Sequence, residues 1–335
     1  MKNVNSQLQE LAVMKRMVPS MRYDGKRDFE LWQGMAREKL KELLGLPLES
    51  CPLELEVEYE RAGESFTEYR FTVQTELGYY VPCHLLVPCG GSEKYPLTVC
   101  LSGHCNGMHI ALGRAKNEDD KKSLEEWPHR AIALRSIREG RCALVIEARN
   151  FGECSAEGFG ISCTESAKTA ILLGRTVIGE RVWDAMRALD AVAEYFPQVD
   201  MENIVCTGNS GGGTATFYLA CMDSRITAAA PSCSICDFED SIAAMPHCLC
   251  NHIPYIRKFF EMGDLAGLIA PRKLVIAAGR EDPIFPIEGT LKTFDNIKRL
   301  YKAASAEDNC ALVIGEQGHL NYADLLWETL HQMGI

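Results

Sequence analysis

The segment Ile204-Val-Cys-Thr-Gly-Asn-Ser-Gly-Gly-Gly-Thr214 frames a serine between glycines, as Gly208-x-Ser210-x-Gly212. A serine hydroxyl becomes a useful nucleophile only when its geometry and a neighbouring base activate it. Here the serine follows an apolar, strand-like run and precedes a helical stretch. A side chain held out on so sharp a strand-to-helix turn needs a strained backbone. A Cβ two residues to either side would meet the strand or the helix. Glycine at 208 and 212 removes both clashes. The helix that opens after Ser210 also aims free N–H groups at the point where negative charge would develop. Two other readings compete: a glycine-rich turn with no chemistry, and a phosphate-binding loop. The second would end in Gly-Lys-Ser/Thr, and no lysine occurs in this segment.

A nucleophilic serine needs a base, and the base needs a carboxylate to orient it. Two later strand-like runs end in suitable residues. Leu274–Ala278 leads into Gly279-Arg-Glu-Asp282-Pro283, and Ala311–Ile314 leads into Gly315-Glu-Gln-Gly-His319. Strand ends on one edge of a sheet converge on one site, so Asp282 and His319 are the expected acid and base. Glu281 and Glu288 are rival acids, with solvated loop charges as their ordinary role. Asp282 precedes a proline that fixes its turn, which favours it. The order Ser210, Asp282, His319 is the one found where a nucleophilic serine sits on a strand-to-helix elbow.

An oxyanion needs two backbone donors. The first expected donor is the N–H of Gly211, directly after the nucleophile. The second is the N–H of His104, in the glycine-bearing loop Ser102-Gly-His-Cys-Asn-Gly107 that follows the run Leu97–Leu101. The His104 imidazole is a rival base, but it precedes Ser210 in the chain.

The elements that must hold these residues alternate. Phe29–Leu44 reads as an amphipathic helix stopped by Gly45 and Pro47. Leu53–Tyr59, Phe66–Thr75 and Tyr79–Val87 follow a period of two and predict an antiparallel meander. Strands are then predicted at Leu97–Leu101, Cys142–Ala148, Asn203–Thr207, Leu274–Ala278 and Ala311–Ile314. Helices are predicted at Trp127–Glu139, Gly179–Tyr195, after Ser210, at Thr290–Ala304 and at Tyr322–Leu330. Several strands are nearly all apolar, as when helices cover both faces of a parallel sheet. The expected fold class is α/β, with a mostly parallel central sheet, an antiparallel start and helices on both faces.

Together these residues resemble the α/β-hydrolase superfamily. The C-terminal half is similar to bacterial proteins grouped with acetyl xylan esterases and dienelactone-hydrolase-like serine esterases. The similarity is carried by Gly263–Arg272, by Gly279-x-x-Asp282-Pro-Ile-Phe-Pro286 and by Gly318-His319. Arg149-Asn-Phe-Gly152-Glu resembles the Asp-x-Arg-Gly-x-Gly loop of such enzymes. The resemblance implies an α/β-hydrolase fold and ester hydrolysis through an acyl-enzyme, on an acetylated carbohydrate or a similar small acyl ester. Dienelactone hydrolases proper use cysteine as nucleophile, and position 210 is serine. A prolyl-oligopeptidase-like peptidase is one alternative, but such enzymes carry a propeller for which this chain has no room. A non-catalytic hydrolase-fold binding protein is another.

The chain has 335 residues, 47% of them hydrophobic, enough for a large core. The expected organisation is an N-terminal helical extension over residues 1–52, packed on a catalytic domain over 53–335. An insertion at about 233–262 is expected near the pocket, with Met245–Tyr255 lining the substrate site. The formal charge of −11 repels phosphate backbones and anionic lipid, so neither nucleic acid nor membrane is an expected partner. The expected partner is a small-molecule ester, and a homo-oligomer is compatible with the sequence. Met1–Lys15 lacks an apolar run before a small-residue cleavage site, which predicts a cytoplasmic protein. Fifteen cysteines then read as reduced thiols. Cys233, Cys236, Cys248 and Cys250, with His247 and His252, raise the question of zinc. Their second pair is too close for a usual knuckle, so no metal and no cofactor is expected. Trp183 and Trp327 fit helix faces, with core packing as their expected role.

Overall fold

The computed structural model describes residues 4–335, so the first three residues of the expected N-terminal extension lie outside the described residues. Nine strands form one sheet: β1 (Glu56–Ala62), β2 (Phe66–Glu76), β3 (Tyr79–Pro88), β4 (Tyr95–Leu101), β5 (Cys142–Ile146), β6 (Val199–Asn209), β7 (Ile226–Ser232), β8 (Lys273–Gly279) and β9 (Cys310–Gly315). Their spatial order is β1-β2-β3-β5-β4-β6-β7-β8-β9. β1, β2 and β3 form an antiparallel meander that joins β5 antiparallel. From β5 to the β9 edge all pairing is parallel. The chain leaves β4 towards β5 on one side and returns to β6 on the other. That reversal opens a crevice beyond the carboxyl ends of β4 and β6, where open α/β sheets take ligands.

Helices cover both faces. The helix Gly211–Met222 is buried from Gly211 to Cys221, and Val177–Tyr195 packs beside it. Both belong to the largest apolar cluster, with Leu97, Val99, Ile204 and Cys206 of the central strands. Helix Phe29–Leu44 buries Trp32, Ala36, Leu40 and Leu44, a spacing of four that puts one stripe on that cluster. Asp28 caps its start by accepting the Leu31 N–H at 2.8 Å. At its end Gly45 adopts φ +77°, and the Leu46 N–H reaches the Lys41 carbonyl at 3.0 Å. Trp183 and Trp327 are both buried in the core. No described helix is long and apolar enough to cross a membrane.

Several elements differ from the sequence reading, the helix Glu118–Glu126 among those not predicted. β1 begins at Glu56 and not at Leu53, because Glu54 takes φ +42° and breaks the extended run. The predicted helix Trp127–Glu139 divides into a 3-10 turn, Pro128–Arg130, and a helix, Ile132–Arg138, since Ala131 at ψ +60° interrupts it. β7 was not predicted: Thr227-Ala-Ala-Ala-Pro231 has weak β-propensity, and only its place between β6 and β8 makes it a strand. The helix Cys163–Leu172 was also missed.

Candidate active site

Ser210 sits between β6 and the helix Gly211–Met222 with φ +56° and ψ −124°. A non-glycine residue pays about 1–3 kcal/mol for such backbone strain, so its surroundings must hold it. Its N–H donates to the Ser232 carbonyl at the end of β7, at 2.9 Å. Gly208 and Gly212 are both pressed against β4. A Cβ on Gly212 would lie 2.0 Å from the Leu101 carbonyl oxygen, and one on Gly208 would lie 2.4 Å from the same atom. No side chain could give way, because the obstacle is backbone.

Asp282 lies on the loop after β8 and is buried. One carboxylate oxygen accepts the N–H groups of Ile284 and Phe285 at 2.8 and 3.0 Å. The other meets His319 Nδ1 at 2.8 Å. Burial pushes this carboxyl up. The His319 hydrogen bond and charge and the two backbone donors outweigh it, and hold the group below its ordinary value. A Cβ on Gly279 would lie 2.1 Å from the Gly318 carbonyl oxygen, so the acid and histidine loops touch through a glycine. The Phe285 ring stacks on the imidazole at 5.9 Å and 13°. With Asp282 oriented on Nδ1, Nε2 is left with no hydrogen bond to the described chain. The rivals Glu281 and Glu288 are both exposed.

Ser210 and His319 line one cavity of about 300 Å³ at the carboxyl ends of β4 and β6. The Ser102–Gly107 loop forms another wall. A Cβ on Gly103 would meet the Asn209 carbonyl oxygen at 2.5 Å, so this loop is packed on the Ser210 turn. A Cβ on Gly211 would lie 3.9 Å from the His104 backbone nitrogen. Neither the Gly211 nor the His104 N–H donates to another group of the described chain. The structure thus brings together all five residues singled out from the sequence: Ser210, Asp282, His319, Gly211 and His104.

Other placements could not be read from spacing. The remaining cavity wall includes Ile110, Trp127, Arg130, Leu320 and Asn321. Met245–Tyr255 was expected to line the substrate site and contributes nothing to this wall. Asn251, His252, Ile253 and Tyr255 instead face a separate apolar cavity beside the helix Ser6–Arg16. Glu147, just past β5, accepts the N–H of Met108 at 2.9 Å and of Glu153 at 3.2 Å. Burial pushes its carboxyl up to about 7. It fastens the segment after the Ser102–Gly107 loop from beneath. Arg149 clamps the helix Val177–Tyr195 through Asp184 at 2.8 Å and meets Glu76 at 2.7 Å.

The cysteines grouped from the sequence separate. Cys233 Sγ lies within 4.8 Å of the ligating atoms of Asp282 and His319. Cys236 Sγ faces the Pro286 carbonyl at 3.8 Å. Cys248 and Cys250 turn towards His104.

Comparison with known proteins agrees with this architecture. A model of the Abhydrolase family matches residues 4–317. The provisionally named hydrolase YtaP of Bacillus subtilis (strain 168) is 25% identical over 300 residues, 88% of this chain and 96% of YtaP. A solved structure from Bacteroides fragilis NCTC 9343, provisionally named an acetyl xylan esterase, superposes with TM-score 0.77 at 17% identity, covering 94% of this chain and 83% of that one. A glucuronoyl esterase from Solibacter usitatus superposes with TM-score 0.69 at 14% identity, covering 96% and 100%. With the family model spanning most of its length and the nine-stranded sheet described above, the chain belongs to the Abhydrolase family.

Proposed function

We propose that this chain is a serine carboxylic-ester hydrolase that deacylates a carbohydrate or a similar small ester through an acyl-enzyme. The observation that carries this reading is the strained Ser210 in one cavity with a histidine whose far nitrogen is held by a buried carboxylate. Ser210 Oγ attacks the acyl carbonyl, and its proton passes to His319 Nε2. Asp282 keeps the proton of Nδ1 in place and stabilises the imidazolium. The N–H groups of Gly211 and His104, without a partner among the described residues, receive the oxyanion, aided by the helix that begins at Gly211. His319 then protonates the departing alcohol, and water repeats the sequence on the acyl-enzyme.

A cavity of about 300 Å³ is at the small end of ligand sites. That favours a short acyl group with one sugar unit over a long chain. The names of the structural relatives, acetyl xylan esterase and glucuronoyl esterase, point to the same substrate class. Turnover of p-nitrophenyl acetate and of acetylated sugars tests the reading. Wild type should hydrolyse them and Ser210→Ala should not. Equal rates in the two would end it.

A further inference from the structure

His104, Cys163, Cys248 and Cys250 converge from three separate segments on one point. Their ligating atoms all lie within 4.8 Å of one another. His104 Nε2 stands 3.3 Å from Cys250 Sγ. Cys163 and Cys250 are buried, while His104 and Cys248 are partly buried. Three thiolates and an imidazole make one of the closed tetrahedral sets that hold structural zinc. At zinc–sulfur distances of about 2.3 Å the ligand atoms stand roughly 3.8 Å apart, which the present spacing accommodates with small side-chain shifts.

A second observation concerns charge. Arg181 is 6% exposed, and its guanidinium bonds reach the Arg149 carbonyl at 2.9 and 3.1 Å and Cys163 Sγ at 3.2 Å. It also lies over the Phe151 ring at 4.3 Å. No carboxylate is among its partners in the described chain. A buried cation without a counter-charge is costly. Three neutral thiols would not supply one. Three thiolates around a divalent zinc carry a net single negative charge, and Arg181 touches one of those thiolates.

We propose that His104, Cys163, Cys248 and Cys250 bind a structural zinc ion, with Arg181 balancing its charge. Each cysteine gives up a proton to solvent on binding, and His104 coordinates through Nε2 as the neutral ring. Four protein ligands leave no open position, so the ion does no chemistry on substrate. It ties the Ser102–Gly107 loop to the start of the helix Cys163–Leu172 and to the turn Leu249–Asn251. The His104 N–H beside Gly211 is thereby fixed.

Elemental analysis of the full chain purified without chelator tests the site, whatever the enzyme's activity. We expect about one zinc per chain in wild type and in Cys89→Ser, which alters an exposed thiol away from the cluster. Cys163→Ser and Cys248→Ser should fall to near zero. Should these variants fail to fold, cobalt(II) exchanged into wild type should give the visible bands of tetrahedral coordination and a thiolate charge-transfer band. Zinc-free wild type that yields no such cobalt spectrum would overturn the proposal. So would a disulfide among Cys163, Cys248 and Cys250 in the protein as purified.

Discussion

The imidazole of His104 lies directly over Gly211, so that a Cβ at position 211 would come within 2.9 Å of Nδ1 and 3.0 Å of Cε1. A methyl group there must push the ring, and with it the loop that carries the second proposed oxyanion donor. Gly211→Ala should therefore lower kcat by about 10²–10³-fold, the usual effect of losing one such donor. KM should change less than kcat, because the rest of the wall, Ile110, Trp127, Arg130, Leu320 and Asn321, stays in place. Steady-state kinetics on p-nitrophenyl acetate would reveal it, and an unchanged kcat would show that this contact has no part in the reaction.

In the proposed mechanism Asp282 acts through His319 and not on substrate. Asp282→Asn keeps the size of the side chain but favours the wrong imidazole tautomer. A loss of about 10⁴-fold in kcat is expected from the behaviour of equivalent acid-to-amide changes. Circular dichroism should report an intact fold. Activity within tenfold of wild type would move the acid's role to another residue.

Acid should weaken this fold in two steps. His84 is buried, receives Arg70 on Nε2 at 3.3 Å and contacts Glu68 through Nδ1 at 2.7 Å. Burial and the Arg70 charge push its pKa down from 6.5 to about 4. The unfolded chain then takes up the proton more readily than the folded one. The resulting stability is fully present above pH 6.5 and is lost as pH falls towards 4. Burial pushes the Glu68 carboxyl up, but the bonds and charge of Arg114 and then His84 prevail and hold it at about 2. Its contribution is present above pH 4.5 and is lost towards pH 2. Thermal melts across this range should show His84→Gln declining less steeply than wild type between pH 6.5 and 4. Parallel curves in that window would contradict the assignment.

Trp32 fastens the helix Phe29–Leu44 to the body of the fold. It is 1% exposed, and its indole N–H donates to the Met21 carbonyl at 2.8 Å. Its ring lies over Gly267, where a Cβ would come within 2.6 Å of it. Trp32→Ala should cost about 3–5 kcal/mol of stability, read as a lower denaturant midpoint. A loss below about 1 kcal/mol would mean that the segment adds little to the core.

The sequence made the elbow legible because its requirements are local. Glycines at 208 and 212 face the backbone of β4, and no larger residue fits. Asp282 and His319 were legible because each follows an apolar strand by a short turn. The cavity wall was not, because Trp127, Arg130 and Asn321 reach it from turns whose positions depend on tertiary packing. β7 was hidden because its alanine run has weak β-propensity and becomes a strand only where β6 and β8 flank it. The cluster around His104 was invisible for a different reason. Reading cysteines by spacing joined Cys248 and Cys250 to Cys233 and Cys236, near in the chain but not in space. Their actual neighbours, His104 and Cys163, are distant in sequence.

The central claim is that Ser210 is the nucleophile. Mass spectrometry after treatment with a fluorophosphonate tests it most directly. The account predicts a single adduct on wild type, mapped to the peptide containing Ser210, with slower labelling in Asp282→Asn and none in Ser210→Ala. Labelling that persists in Ser210→Ala, or wild type that takes no label, would contradict it.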